Sequence, residues 1–521
     1  MGDATGDGEQ PLPAQPGDLP KSPLRSRLFR EVANEGFADD PCLLELLSTE
    51  SLLAGLSTWF GQDALSRMSN KQASGRLARD IVEIDAKISE LMEAILHADQ
   101  LRRLESLWRS VKWLLEPITA RARPRVIIKL LNATWRDVVR DLTKSPDFDQ
   151  TTLFQRIYSD EFGTAGGTPM GLVVGAYEIR HKPTETFKTD DVGILRDLAR
   201  IAEAAFCPIV LEASPSFFGI NHLNELSRRE NIETTFQQKE YDRFRSFQRV
   251  PSARFIALTV GKIIVRDPYR ERGAGDLGYV HAPTHHDGFG GHAWGPSSFA
   301  IGQVVVRSFQ QFAWPAAMRG APSRDSEDDI AGGVISPAVE PAFITDADKA
   351  GRKIPLEVAI TDAQEAKLNA LGFIAPRPCP YTKYAAIYTA PTTHRPRSMS
   401  TDVAAQNARM GAMVNYLLCV CRFAHYIKVI ARDWIGSFKT AQDCQKKLQK
   451  WINKYCIAGE EVGYTERAKF PLRQAQIKIA DMDGRPGVYS CVIHLKPHFQ
   501  LDYVVSEFEL STEIEAPAQA A

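Results

Sequence analysis

Four histidines and one aspartate fall within twelve residues in the stretch HAPTHHDGFGGH, as His281, His285, His286, Asp287 and His292. Imidazoles and a carboxylate together can hold zinc or another transition metal, which would make this loop the centre of a metal-dependent hydrolase. Their spacing matches neither H-E-x-x-H on a helix nor a Cys/His finger, and a glycine-rich loop does not fix ligand geometry. The competing reading is a solvated loop. Ser297 in GPSS lacks the G-x-S-x-G frame of a nucleophile elbow, and the carboxylates of EIDAKISE and ESLW lie on helical faces as solvated or paired groups.

A second candidate is EFGTAGGTPMGLVVG (161–175), with five glycines between Gly163 and Gly175. A phosphate cradle needs glycines after a strand and before a helix, because the helix amino terminus supplies free N–H groups and the positive end of the dipole. Here the order is reversed: the apolar Leu172, Val173, Val174, Tyr177 and Ile179 follow the glycines and read as a strand ending at the turn-like RHKPTE. GFGGHA (288–293) fits G-x-G-x-x-A but follows PTHHD, not an apolar strand. Neither loop carries a nucleotide signature, and no cofactor is expected.

The elements that must position these residues read as follows. Residues 1–40 form a disordered tail, polar and rich in Gly and Pro at its start, and 515–521 a second tail. Leu43, Leu44, Leu47, Leu52, Leu53 and Leu56 recur at near-helical intervals and predict an amphipathic helix over 41–60, followed by a polar linker to 75. Ile81, Ile84, Ile88, Leu91 and Ile95 make one helical stripe, and Leu101, Leu104, Trp108, Val111 and Leu115 another, predicting two packed helices. A strand-like RVIIKLLNA (125–133), a helix TWRDVVRDLT, the glycine loop with its strand, a helix VGILRDLARIAEAAF and a buried strand CPIVLEA alternate as in a mixed α/β domain.

A further helical pattern follows GPSS, a loop insertion or a domain edge spans 321–353, and a helix over 361–371 ends at Gly372. A long helix over 402–435 carries Arg422, His425, Lys428 and Arg432 at intervals of three or four, a basic stripe that is either solvated and internally paired or an electrostatic contact for a partner. The end of the chain is β. In its last strand Val504, Phe508, Leu510 and Ile514 fall on one face and Glu507, Glu509 and Glu513 on the other. A terminal strand commonly sits at a sheet edge, which either closes its own sheet or invites a strand from another chain.

The 521 residues predict several domains. With 44% apolar and 24% charged residues, and 63 basic against 64 acidic side chains for a net charge of −1, no global field draws the chain to nucleic acid or an anionic membrane. Its eight cysteines form no C-x-x-C pair, and most sit in apolar surroundings, as expected of a reducing cytoplasm. No uncharged apolar run approaches the ~18–20 residues that span a bilayer, and the start MGDATG has Gly6 where myristoylation requires Ser or Thr. The expectation is a soluble intracellular protein without stable membrane insertion.

Eight segments in fixed order then resemble one family, the large subunit of the type VI secretion contractile sheath (TssC/VipB). They are EIDAKISELMEAILHADQLRRLESLWRSVKWLL, DEFGTAGGTPMGLVVGAYEI, CPIVLEASPSFFGI, RFIALTVGKIIVRDPY, AWGPSSFAIGQVVVRSF, LEVAITDAQEAKLNALGFI, RFAHYIKVIARDWIGSF and RPGVYSCVIHLKPHFQLD, covering about 76–514. The resemblance implies a non-enzymatic α+β, mixed α/β multi-domain protein of the bacterial cytoplasm. Its sheath domains would span 76–374 and 375–514, with N-terminal helices and a C-terminal β-sheet packed by a long helix.

The resemblance further implies pairing with a small sheath subunit (TssB/VipA-like), helical self-assembly around an inner tube protein (Hcp-like), a baseplate, and a AAA+ disassembly ATPase (ClpV-like). It gives the strand of Val504, Phe508, Leu510 and Ile514 a role in strand exchange. It places a recognition helix for the ATPase at Leu43, Leu44, Leu47, Leu52 and Leu53, and suggests that Arg422, Lys428 and Arg432 face the tube. WGPSS, PLEVAITDAQE and RDWIG depart from the usual pattern, so a divergent or accessory sheath paralogue is the alternative, ahead of the histidine-loop hydrolase.

Overall fold

The computed structural model describes residues 41–49, 51–119, 125–164, 166–229, 231–269, 291–321, 330–339, 354–380, 382–397, 401–434, 440–459, 462–481, 488–498 and 508–515. The tail 1–40 and residues 516–521 lie outside this set. The chain divides into two compact units, one of residues 1–96 with 270–284, the other of residues 97–269 with 285–521.

In the first unit the single helix expected over 41–60 is two, α1 (Pro41–Ser48) and α2 (Leu52–Phe60). Ser51 makes the break: its side chain accepts from Ala54 N–H, the N-cap arrangement that satisfies a free amide of α2. The polar stretch expected as a linker is largely helical, as α3 (Gln62–Ser66) and the start of α4 (Asn70–Leu96). Ser69 and Gln72 bond reciprocally, Ser69 N–H to Gln72 Oε1 at 2.9 Å and Gln72 N–H to Ser69 Oγ at 3.4 Å, and so start α4. Trp59 Nε1–H donates to Asp80 Oδ2 at 3.0 Å and ties α2 to α4.

The second unit is built on a parallel sheet ordered β1 (Val173–Ile179), β2 (Ile209–Ala213), β3 (Ile256–Thr259) and β7 (Phe373–Ile374). Helix α5 (Asp99–Thr119) precedes it and α6 (Trp135–Lys144) opens on the capping box of Thr134 and Asp137. The strand residues alternate between two cores. Ile209, Leu211 and Leu258 meet Leu195, Leu198 and Ile201 of α7 (Asp191–Ala205), together with a cluster of Phe217, Phe218, Phe244 and Phe373. Val210 and Ala257 point the other way, onto Ala300, Ile301 and Val304 of α8 (Ser298–Phe312) and Trp113 and Leu114 of α5.

Helix α5 buries Trp113 and Leu114 in this second core, while its Leu104 and Trp108 stay exposed. A hairpin of β4 (Lys262–Arg266) and β5 (Ala293–Pro296) lies against α5. At Gly295 an added Cβ would stand 2.3 Å from Ser110 Oγ, so only glycine permits this approach. A small antiparallel sheet joins β6 (Val334–Ile335), which falls within the segment 321–353 read from the sequence as a loop, to β9 (Ala385–Ala386) and β8 (Arg377–Pro378).

The helix expected over 402–435 is interrupted near Gly411, giving α10 (Asp402–Met410) and α11 (Val414–Asp433), after α9 (Asp362–Ala370) has ended at Gly372 with φ +89°. Twelve of the twenty residues of α11 are buried. Leu417 and Cys421 join the first core and Val414 and Leu418 the second. Phe423, Ala424 and Ile427 join a third, formed by α12 (Ala441–Ile452) on the antiparallel sheet β10 (Leu472–Asp481), β11 (Val488–Pro497) and β12 (Phe508–Glu515). One helix thus spans all three cores. It is long and apolar enough to cross a bilayer by length and composition, but its apolar side chains are those of a core helix.

Candidate subunit interfaces

The glycine loop 161–175 is held by charge from two directions. Glu161 is buried; its carboxylate accepts from Lys129 Nζ, and from Thr168 N–H at 3.0 Å. Burial opposes its charge, but these two bonds outweigh it and hold the carboxyl below its usual range. Arg432 Nη1 donates to the carbonyls of Phe162 and Thr164 at 3.2 and 3.3 Å. Gly167 has no room for a side chain, since its Cβ would stand 2.3 Å from Glu161 O. After the loop comes β1, not a helix, so the amino-terminal N–H cradle that a phosphate requires is not built at this position.

The rest of the basic stripe is also bonded within the chain. Lys428 Nζ sits 4.7 to 5.4 Å from the ring centroids of Phe206, Phe162 and Tyr158, an arrangement of cation over aromatic faces, and burial lowers its pKa. The π-helical stretch Gln155–Ser159 helps to bring Tyr158 and Phe162 onto this side. Arg422 lies over Phe309 and Tyr426 at 5.3 and 4.5 Å. His425 Nε2 meets Ala205 O at 3.0 Å, and burial pushes its pKa down to about 4. All three residues of the expected tube contact, Arg422, Lys428 and Arg432, are half-buried.

One charged cluster escaped the sequence reading. At the carboxyl ends of β1 and β2, Glu178 and Glu212 meet Lys262 beyond β3 and Glu357, beside a cavity of about 370 Å³ also lined by Ser214, Ser216, Asn221 and His222. Lys262 Nζ bonds Glu178 Oε1 at 2.6 Å. Burial raises the Glu178 pKa, but the lysine charge and bond prevail and leave it lowered. Glu212 is 1% exposed, and burial raises its pKa strongly.

The crevice at the carboxyl ends of parallel strands is where α/β enzymes place their sites. Here burial opposes the lysine's charge, but Glu212, Glu178 and Glu357 together outweigh it and raise its pKa, and Ser216 Oγ bonds Ser214 Oγ at 3.2 Å. The arrangement pins strand ends electrostatically. The only signal for it in the sequence was a single glutamate near the end of each apolar strand, in VVGAYEI and IVLEA.

The remaining predicted residues are placed as follows. Leu43 and Leu47 are partly buried on α1, Leu44 lies on the same helix, and Leu52 and Leu53 of α2 are 76% and 72% exposed. Val504 lies outside the described residues. Phe508, Leu510 and Ile514 belong to β12 and pair with Leu495, Ile493 and Tyr489 of β11, so the strand closes its own sheet on one side. Of the histidine cluster, His281, His285, His286 and Asp287 lie outside the described residues, and His292 is buried with its ring 5.6 Å from Trp294. Among the described residues no group of three or more His, Cys, Asp or Glu is arranged to hold a metal ion.

Comparison with known proteins gives a consistent answer. Residues 78–394 match the family described as EvpB/VC_A0108, tail sheath N-terminal domain, and residues 403–514 the EvpB/VC_A0108 tail sheath gpW/gp25-like domain. The chain is 30% identical over 446 residues, 84% of its own length and 86% of the relative's, to the type VI secretion system sheath protein TssC1 of Pseudomonas aeruginosa strain PAO1. Among solved structures it is similar to the contracted helical sheath of the anti-feeding prophage, at 10% identity and a TM-score of 0.32, over 76% of this chain and 82% of that one. A sheath tail protein of Listeria innocua matches at 10% identity and a TM-score of 0.27, over 62% and 60%. With both of its halves matched in order, the chain belongs to the EvpB/VC_A0108 tail sheath family.

Proposed function

We infer that this chain is the large subunit of a type VI secretion contractile sheath. In this reading it pairs with a small sheath subunit and stacks helically around an inner tube, in the bacterial cytoplasm. The carrying observation is the sheath-family match across 78–394 and 403–514, supported by 84% coverage of the chain by a type VI sheath relative.

The role is structural. Helix α11, shared among three cores, stiffens the second unit, and contraction is a shift between two packings of the same subunits, with energy stored at assembly. The exposed stripe Ile81, Ile84, Ile88, Leu91 and Ile95 on α4 offers the small subunit an amphipathic helix face. The outer edge of β12 is the place for strand exchange between neighbours, because backbone pairing survives a change of tilt. Leu52 and Leu53 offer the disassembly ATPase an exposed apolar contact. A tube contact through Arg422, Lys428 and Arg432 would use groups already bonded within the chain, so charge reversal there acts on the glycine loop and its aromatic neighbours before it acts on assembly.

The test is co-expression with a small sheath subunit, followed by negative-stain microscopy. Hollow tubules with cogwheel ends are expected. A soluble complex that never yields tubules would overturn the sheath-forming role in favour of an accessory paralogue.

A further inference from the structure

The crevice at the carboxyl ends of β1 and β2 holds more negative charge than its own cation answers. Glu178 and Glu357 line it, and Lys262 is the one lysine or arginine among the described residues that do. Arg180 and Arg103 act on Glu178 from outside the lining, and Arg180 is turned toward Asp191 and the Phe187 ring. Glu212 lies against the same group; it is 1% exposed, and its Oε1 has no hydrogen-bond partner among the described residues. A buried carboxyl oxygen without a donor is costly, and it marks a place where a donor arrives from elsewhere. Among the described residues no three His, Cys, Asp or Glu are arranged to hold a metal ion, so the donor to look for is an N–H group. A volume of about 370 Å³ is at the small end for a ligand site and gives room for one long side chain.

We propose that this crevice receives an arginine from the N-terminal tail of a neighbouring copy, within the segment KSPLRSRLFR (21–30). The proposal rests on reading the chain as a subunit that stacks with copies of itself. Between Asp18 and Glu31 the tail carries Lys21, Arg25, Arg27 and Arg30 and no acidic residue, in a chain whose net charge is −1. A local positive run thus complements a local negative site, which is how charge selects a partner and fixes its register. From Arg30 to Pro41, where α1 begins, the chain reaches about 35 Å when extended, the scale of a small domain, so the segment can extend to another copy. Arginine suits the site better than lysine. Its planar fork donates to two carboxyl oxygens at once, and here Glu178 and Glu357 stand in the wall with Glu212 beside them.

The probe is a fluorescent peptide of residues 17–34, followed by anisotropy. It is titrated into the full chain carrying Arg25→Gln, Arg27→Gln and Arg30→Gln, whose own tail no longer competes. Saturable binding is expected, and it should weaken as salt is raised because the contact is ionic. Adding Glu357→Gln to that chain should weaken binding by about tenfold or more at an unchanged melting temperature. If Glu357→Gln unfolds the chain, Asn221→Arg is read the same way: Asn221 is an exposed residue of the same lining, and an arginine there sets a guanidinium at the crevice in place of the peptide's.

Absence of saturable binding overturns the inference, and so does equal binding by a folded Glu357→Gln or Asn221→Arg chain. The small sheath subunit is the other occupant to be tested. If it loses affinity for the Glu357→Gln chain while the peptide binds neither chain, the crevice belongs to that subunit and the tail is excluded. These outcomes are separable from failure of the sheath reading, since the peptide is titrated into the isolated chain whether or not tubules form.

Discussion

Helices α4 and α11 both carry apolar residues along their whole length, and the structure treats them oppositely. In α11, twelve residues are buried, and among them His425 Nε2 bonds Ala205 O. In α4, five large apolar residues recur every three or four positions, at 38% to 66% exposure, and Ser89 is the single buried residue. A helix that is apolar nearly all round belongs inside a protein, while a stripe on an otherwise charged helix requires one neighbour. For α11 the neighbours are three cores of the same unit. For α4 the stripe stays 38% to 66% exposed, as expected of a face completed by assembly.

If α11 is the common member of three cores, truncating it should cost the most. Ile427→Ala removes a fully buried side chain from the third core and should destabilise the second unit by about 2–5 kcal/mol. The measurement is the chemical denaturation midpoint of the soluble chain. A loss as small as that of a surface substitution would break the contrast, because it would mean that α11 is as dispensable to the isolated subunit as α4.

The same helix should also make the fold sensitive to acid. His425 stands beside Arg422 and Lys428 and against the Phe162 ring, and its pKa falls from the ordinary 6.5 to about 4 through burial. Between these values the unfolded chain binds a proton that the folded chain refuses. Stability is therefore full above about pH 6.5, falls as pH drops, and levels below about pH 4, with a total loss of about 3 kcal/mol. His425→Gln should flatten this part of the profile. An unchanged slope in that variant would show that the acid sensitivity arises from other groups.

How far these differences were legible in the sequence depends on what a pattern can encode. The strands VVGAYEI and IVLEA, the helix Asp191–Ala205 and the terminal hairpin were readable because burial on both faces or on one leaves a run or an alternation. The breaks at Ser51 and near Gly411 lay inside apolar patterns that continued across them, so periodicity merged two helices into one. Helix Ala441–Ile452 buries only Cys444, Leu448 and Ile452, too few to stand out among its polar residues.

The basic stripe shows another limit: spacing put Arg422, Lys428 and Arg432 on one side of a helix, but their partners, Phe309, Phe206 and the carbonyls of Phe162 and Thr164, are more than a hundred residues away. RVIIKLLNA reads as a strand from its residue types, but the structure assigns it to no strand or sheet, because strand pairing is not written in the residues of one segment. The family resemblance carried the functional reading where local patterns stopped.

The smallest expected change in stability belongs to α4, and it is the most informative about the comparison. Ile84→Ser with Ile88→Ser alters two exposed side chains on the stripe and should shift subunit stability by no more than about 0.5 kcal/mol each, the usual range for surface positions. On assembly the same pair should act strongly, because both residues lie centrally on the only face that the stripe presents. Tubule yield on co-expression, read by sedimentation, should collapse while far-UV circular dichroism and the melting temperature of the isolated chain stay at wild-type values. Normal tubules from the double variant would move the interface off α4. A large fall in the melting temperature would instead show that the stripe already has a partner within its own chain, and the contrast with α11 would then be one of degree.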